Sequence, residues 1–259
     1  MKFTINFSIA YIYAFIIVII ASNGLAAEEI NHANQYQVCM KLAKNDPQKA
    51  FDAALSWHGL GGGDAANHCI GVALFGLGLY KESAERLEKL ALNIRQKVEI
   101  KAEILAHAAQ GWILAGMSVR AEAVLTTAIR LMPGNAFLMV DRAQARAGQK
   151  NYTEAIQDLN KAIKLDNHLT DAFVFRASAY RHLKKLKPAL ADVEKALSLQ
   201  PKHSDGLLER GNLKRLLQDD NGARKDWLAL IKNSPKSPAA ENARKNLEVL
   251  NLKEIKRIQ

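Results

Sequence analysis

The sequence predicts an all-α fold, a solenoid of stacked helix-turn-helix hairpins finished by a C-terminal capping helix. Three observations carry that expectation. Small residues recur at a step of 34 positions, at Ala109, Ala143, Ala177 and Gly211, and again at Ala121, Ala155, Ala189 and Ala223. Proline stands just beyond three of the predicted second helices, at Pro133, Pro201 and Pro235, where it stops a helix from continuing. Apolar residues between these markers keep helical spacing, and no convincing strand appears. A unit of this size cannot cover its own apolar face, so copies must stack, and the product is a scaffold with a groove rather than a catalytic pocket.

The bulk composition agrees. Of the 259 residues, 49% are hydrophobic and 24% charged, a normal globular balance. The 6 prolines and 15 glycines fall at turns, while abundant Ala, Leu, Lys and Glu favour helix. A formal charge of +10 would attract nucleic acid, anionic lipid or an acidic protein. Lys and Arg are interleaved with Asp and Glu on predicted helix faces, however, which reads as a solvated surface, and no nucleic-acid partner is expected.

Residues 1–26 are expected to be a signal peptide. Lys2 supplies the positive start, Ile9 to Ala21 the apolar run, and Ser22, Asn23 and Gly24 the turn to small and polar residues. Gly24 and Ala26 suit the two key subsites for cleavage after Ala26, with Ala27 the other option. No cysteine follows, which argues against lipid attachment. The competing reading is an uncleaved inner-membrane anchor over residues 3–21, weakened by Thr4, Asn6 and Ser8. The expected location is exported, periplasmic, with membrane contact only through this segment.

Residues 27–98 read as degenerate hairpins. Tyr36 to Lys44 is followed by Asp46 as a cap and Pro47 in the first turn of a helix over Gln48 to Trp57. The glycines of residues 59–63 end it; with no Gly-Lys-Ser/Thr and no preceding strand they are a turn, not a phosphate cradle. His68 to Leu77 and Lys81 to Ala91 form the next pair around Gly78 and Tyr80, and the charged segment Asn93 to Glu99 leads onward. In an oxidising compartment Cys39 and Cys69, the only cysteines, would join as a disulfide. Closing that loop contributes roughly 3 to 4 kcal/mol in the chain-entropy estimate. Two buried thiols are the alternative, and a metal site using His58, His68 and Cys69 matches no zinc spacing.

Four copies in register fill residues 99–235. Ala128, Ala162 and Ala196 keep the 34-residue step, Leu230 at the next step breaks the small-residue rule, and Asn167 ends the repeat that lacks a proline. Alanine or glycine lets two helices approach closely while Leu125, Leu159, Val193 and Trp227 fill the adjoining space. In one copy Phe173, Ala177, Tyr180, Ala189, Val193, Ala196 and Pro201 resemble the tetratricopeptide repeat, here of an exported bacterial type. The match extends in weaker form over Lys101 to Pro235, and the earlier hairpins look like degenerate copies joined by about four extra residues. The resemblance implies a right-handed α-solenoid whose first helices line the concave side. It implies no single biochemical activity.

A second periodic feature concerns charge. Arg142, Arg176 and Arg210 recur on first helices, and Asp158, Asp192 and Asp226 follow each by 16 positions on second helices. Where the arginine is missing, Ala108 is matched by Val124, which is what structural ion pairs within each hairpin would produce. An arginine ladder for phosphate is the alternative. Asn151 with Glu154 forms a capping-box pattern, and Thr170 and Ser204 stand where a first helix needs a cap. Residues 236–259 are the capping segment, Pro238 to Ile258 forming an amphipathic helix with Ala243, Leu247, Leu250, Ile255 and Ile258 on its apolar side.

The expected partner-binding groove follows from the first helices. Gln110, Gln144, Ser178 and Asn212 form a polar column able to bond an extended peptide, and three residues on stand Ile113, Ala147, Arg181 and Arg215. With His182, the two arginines make the C-terminal half basic and suited to an acidic segment. Family members that grip a C-terminal carboxylate use lysine and asparagine where this chain has Ala106, Val140, Val174 and Leu208. No catalytic constellation is present: there is no HExxH, nucleophile elbow or Gly-rich strand-to-helix loop. Glu28 with Glu29, and Asp219 with Asp220, read as solvating. The expectation is a non-catalytic, cofactor-free exported scaffold binding a protein or peptide in envelope assembly or secretion. The alternative is an adaptor for an anionic envelope polymer using Lys184, Lys185 and Lys187.

Overall fold

The structure, a computed structural model, describes residues 31–258, with side chains as far as Leu252. The signal peptide expected at residues 1–26 and the alternative anchor at residues 3–21 lie outside the described residues, as do the side chains of Ile255 and Ile258.

Helices follow one another in pairs. The hairpins are α1 (His32–Asn45) with α2 (Pro47–Trp57), α3 (Gly63–Gly76) with α4 (Tyr80–Asn93), and α5 (Val98–Leu114) with α6 (Ser118–Leu131). Then come α7 (Ala136–Gly148) with α8 (Tyr152–Leu165), α9 (Thr170–His182) with α10 (Leu186–Leu199), and α11 (Ser204–Leu216) with α12 (Asp220–Asn233). The last helix, α13 (Pro238–Ile258), packs on α12 and α11. Among the described residues there is no strand, and no helix is long and apolar enough to cross a membrane.

The 34-residue step sets the helix starts themselves. Second helices begin at Ser118, Tyr152, Leu186 and Asp220, and first helices at Ala136, Thr170, Ser204 and Pro238. The capping helix α13 therefore starts in the register of a further first helix. Helix α5 has 17 residues against 13 in α7, so the extra four residues (17 − 13) form an added first turn of α5.

Close packing inside each hairpin rests on one small and one large side chain 16 residues apart. Ala109 meets Leu125, Ala143 meets Leu159, Ala177 meets Val193, and all are buried. In the last hairpin the volumes are redistributed: a Cβ on Gly211 would lie 2.6 Å from Trp227 Cδ1, so the indole fits because glycine is opposite. The second hairpin keeps the same device, Gly71 against Leu87, where a Cβ would lie 2.6 Å from the leucine Cγ. Its regularity is in volume rather than in residue type.

Several local expectations need correction. Helix α3 begins at Gly63 rather than near His68. The glycine stretch does break the helix: over His58–Gly62 the backbone kinks, with non-helical dihedrals at Leu60 and Gly61 and positive φ at Gly61 and Gly63. Asp46 does cap α2, accepting from the Lys49 backbone N–H at 3.2 Å. Asn151 makes no side-chain cap bond. Thr170 and Ser204 are each the first residue inside their helix, with Leu169 and His203 at the cap positions. His203 Nδ1 accepts from the Gly206 N–H at 3.1 Å, and Ser204 instead donates to Ser234 Oγ at 2.9 Å.

Cys39 on α1 and Cys69 on α3 bring their sulfurs to disulfide distance, with Cα atoms 6.1 Å apart. At the other end Ala243 and Leu250 of α13 are buried and Leu247 is partly so, packed with Leu207, Leu213 and Trp227. The core thus runs the length of the array.

Helices α1 and α2 are joined through Asp46 at φ −148°, whereas the turn inside each of the other five of the six hairpins uses one residue in the left-handed region. That residue is Gly78 and Gly116 in two hairpins, but Lys150 (φ 64°), Lys184 (φ 59°) and Gln218 (φ 65°) in the next three. An L-residue there costs about 1 to 2 kcal/mol, offset only in part by the greater freedom glycine loses on folding. Lys150→Gly, Lys184→Gly and Gln218→Gly should each stabilise the chain by about 0.5 to 1 kcal/mol, read as higher thermal midpoints. Midpoints at or below wild type would show that these side chains make compensating contacts.

Candidate functional site

The first helices form a continuous row: α1 touches α3, α3 touches α5, and so on to α11 and α13. Second helices pack chiefly on the first helices at either side. The row of first helices is accordingly the inner face, and the functional residues expected from the sequence fall on it.

The periodic arginines and aspartates are engaged with each other. Arg142 donates through Nε and Nη2 to Asp158 at 2.8 and 2.7 Å, Arg176 to Asp192 at 2.7 and 2.7 Å, and Arg210 to Asp226 at 2.9 and 2.7 Å. Those bonds, outweighing burial, raise the pKa of each guanidinium. A third contact reaches the preceding second helix, Arg142 to Thr126 and Arg176 to Asn160. Second cations join, Arg146 on Asp158 at 2.9 Å and Lys214 on Asp226 at 2.8 Å. Burial pushes the Asp226 carboxyl up, but bonds from Arg210 and Lys214 bring it below the usual range. The arginines thus tie helices together through two or three donors each.

The predicted polar column is not uniformly open. Gln110 donates to Asp141 at 2.7 Å, and Asn212 accepts from Asn246 of α13 at 2.9 Å. Ser178 accepts from Arg181 at 3.4 Å. Gln144 makes no hydrogen bond among the described residues and lines a cavity of about 300 Å³. The expected basic half is also altered, because Arg181 donates to the buried carboxylate of Glu209 at 2.6 Å. His182 stacks flat on Tyr152 at 4.5 Å, and burial together with Arg181 lowers its pKa. Arg215 Nε is buried with no hydrogen-bond acceptor.

A step of 28 residues, from one first helix to the next, orders these facts. Arg181 and Glu209 are separated by it. The same step pairs Ile113 with Asp141, Ala147 with Phe175, and Arg215 with Ala243. Where Ala147 and Phe175 stand, no charge fills the junction, and the cavity opens between α5, α7 and α9, lined also by Ile113, Tyr152 and Ser178. Where isoleucine faces aspartate, burial pushes the Asp141 carboxyl up to about 6, against the bond from Gln110. Asp141, Phe175 and Glu209 are not among the site residues the sequence suggests; this second spacing is the signal that finds them.

At the N-terminal end the row carries a part-buried chain of rings with the buried His68 at its centre. Tyr36 Oη lies 2.8 Å from His68 Nδ1, and His68 Nε2 lies 3.2 Å from His107 Nδ1. A neutral His68 satisfies both contacts with one donor and one acceptor. Burial and then His107 lower its pKa to about 4, and burial lowers that of His107, with Glu103 opposing and Lys44 assisting. Both nitrogens of His68 and the sulfur of Cys69 are therefore occupied by protein partners.

With this geometry in hand, similarity to known proteins is informative. The pattern of the tetratricopeptide repeat matches residues 138–168 and 170–203. The Protein SGT1 homolog of Oryza sativa subsp. japonica is 49% identical over 49 residues, which are 19% of this chain and 13% of that protein. This chain thus spans a small part of that relative's length. Among solved structures, a thermophilic TPR protein of Thermus thermophilus superposes with a TM-score of 0.61 at 17% identity, over 73% of this chain and 99% of that one. MamA, from residue 41 to its end, of Desulfovibrio magneticus RS-1 gives 0.54 at 16% identity, over 68% and 97%. At those identities the structures speak for the fold alone.

The buried imidazole makes stability depend on pH with a definite sign. The unfolded chain takes up the His68 proton near its ordinary 6.5, the folded protein only near 4. Stability from the neutral ring is thus present above pH 6.5 and lost as pH falls toward 4, by about 3 kcal/mol. Asp141 acts oppositely, since its raised carboxyl is protonated first in the folded state. Comparison with His68→Asn isolates the imidazole: the wild-type advantage in urea denaturation at pH 7 should shrink by about 3 kcal/mol at pH 4. A pH-independent difference would mean that the His68 ring titrates in the fold as it does in the unfolded chain.

Proposed function

We propose that this chain, in which residues 138–168 and 170–203 match the tetratricopeptide repeat, acts as a non-catalytic scaffold that receives an extended protein segment along its inner face. The observation that carries this reading is the cavity between α5, α7 and α9. Its lining includes the apolar Ile113, Ala147 and Phe175, and Gln144 and Ser178 offer polar atoms to a backbone. An apolar side chain of the segment enters the cavity, and burying a side chain of valine or leucine size contributes about 1.5 to 3 kcal/mol. The neighbouring junction has the same backbone but is closed by Arg181 and Glu209, so one position anchors and the next does not.

The test copies that closure. A displayed random dodecapeptide library is selected on the full chain, and binders are remade as synthetic peptides for fluorescence anisotropy. In the double variant Ala147→Arg/Phe175→Glu the cavity acquires the ion pair of the following junction. Affinity should fall by about tenfold to a hundredfold with the thermal midpoint held. Equal binding by wild type and variant at unchanged fold would remove the cavity from the interaction.

Export to an oxidising compartment, with a role in envelope assembly or secretion, completes the proposal. It is supported by the apolar N-terminal run and by the two cysteines at disulfide distance across α1 and α3. A bond between them closes a loop of 30 residues and contributes about 3 to 4 kcal/mol. Protein recovered from the exported fraction should react with no thiol reagent until reduced, and reduction should lower its unfolding free energy by that amount. Two reactive thiols in the unreduced, denatured protein would count against export to such a compartment.

A further inference from the structure

Arg215 is the arginine of the inner face that the fold leaves without an acceptor at its buried Nε. Its counterpart one repeat earlier, Arg181, reaches across to Glu209, 28 residues on and on the next first helix. For Arg215 that partner position is residue 215 + 28, which is Ala243, and alanine has no acceptor to give. The capping helix does hold the register of a first helix at this point, because Asn246 bonds Asn212, the residue 34 before it. The junction is therefore built like its predecessor, with the carboxylate removed. Arg215 Nε is buried there and makes no hydrogen bond, whereas Arg142, Arg146, Arg176, Arg181 and Arg210 each hold a carboxylate. A buried donor without an acceptor is a standing cost that an incoming anion relieves.

We propose that the α11/α13 junction is a socket for an aspartate or glutamate side chain of the bound segment, which takes the place that Glu209 fills at the preceding junction. The proposal rests on the inner-face reading above. The carboxylate accepts from Arg215 Nε and the adjacent Nη, the fork-to-fork geometry that guanidinium favours. This site differs from a grip on a chain terminus: the positions expected for such a grip hold Ala106, Val140, Val174 and Leu208. An acidic residue in this socket and an apolar one in the α5/α7/α9 cavity would fix the direction in which the segment lies.

The experiment uses the full chain and N-acetylated, C-amidated dodecapeptide pools that fix Asp, Asn or Ala at each position in turn. Wild type should prefer the Asp pool over the Asn pool by about tenfold or more at one position, and Arg215→Gln should abolish the preference while still binding. Ala243→Glu supplies the internal carboxylate and should abolish it as well; if that variant fails to fold, Arg215→Gln decides alone. A preference that survives Arg215→Gln, no preference at any position, or one confined to pools with a free C-terminal acid overturns the socket and leaves the groove reading standing. If no pool binds at all, the groove reading fails, and the socket is judged by NMR of the Arg215 Nε–H during titration with N-acetylglutamate α-amide. A selective downfield shift supports it, and no shift, or an equal shift with sodium chloride at matched ionic strength, refutes it.

Discussion

Everything in this molecule follows from the inability of one helical hairpin to bury both of its faces. A hairpin of two short helices covers the seam between them with one small and one large side chain, and leaves the rest of its apolar surface to the next copy. The seam has to be tight for the stacking surface to be flat. That is why Ala109 with Leu125 and Gly211 with Trp227 differ in residue type while both close the seam. The extra turn of α5 shows the same constraint from outside, since four added residues are absorbed at a helix start where no seam contact is disturbed.

Two spacings then divide the labour of the polar residues. Separation by 16 links the helices of one hairpin and is given to the Arg142, Arg176 and Arg210 pairs, whose carboxylates are buried. Such pairs add little net stability over apolar replacements, but each leaves a costly uncompensated charge if one member is lost, so they fix geometry more than they strengthen it. Separation by 28 links one first helix to the next across the inner face. Here the chain repeats nothing: isoleucine with aspartate, alanine with phenylalanine, arginine with glutamate, arginine with alanine. A scaffold that repeats where it must pack, and varies where it meets the outside, gives a different chemistry at each junction of an otherwise uniform surface.

That division explains what can be read from the residues in advance. The four regular hairpins, their helix starts and the Arg–Asp pairing are periodic, so a single sequence exposes them through its own internal repetition. The inner-face chemistry is not periodic. Gln110, Gln144, Ser178 and Asn212 look like an open polar column, and Arg181 like a free base beside it, until Asp141 and Asn246 on neighbouring helices are seen to engage two of the four and Glu209 to engage the arginine. Thr170 and Ser204 fall one residue inside the caps expected for them, because hydroxyls suit the first turn as well as the cap. Nothing local distinguishes Lys150 or Lys184 as a left-handed turn residue either. Only comparison with Gly116, one repeat before Lys150, does so.

Among the described residues the two ends of the array are built differently. At the N-terminal end the inner face is filled with rings, Tyr36 on His68 on His107, beside cysteines that approach across α1 and α3. At the C-terminal end α13 continues the first-helix register and then lengthens to 21 residues to cover α12. Helix α13 presents small residues inward, and Ala239, Ala240 and Ala243 are all buried. Alanine at position 243 serves that close approach, and the same residue takes away the carboxylate that Arg215 would otherwise hold. The close approach of α13 and the buried Arg215 Nε without an acceptor are thus both consequences of alanine at position 243.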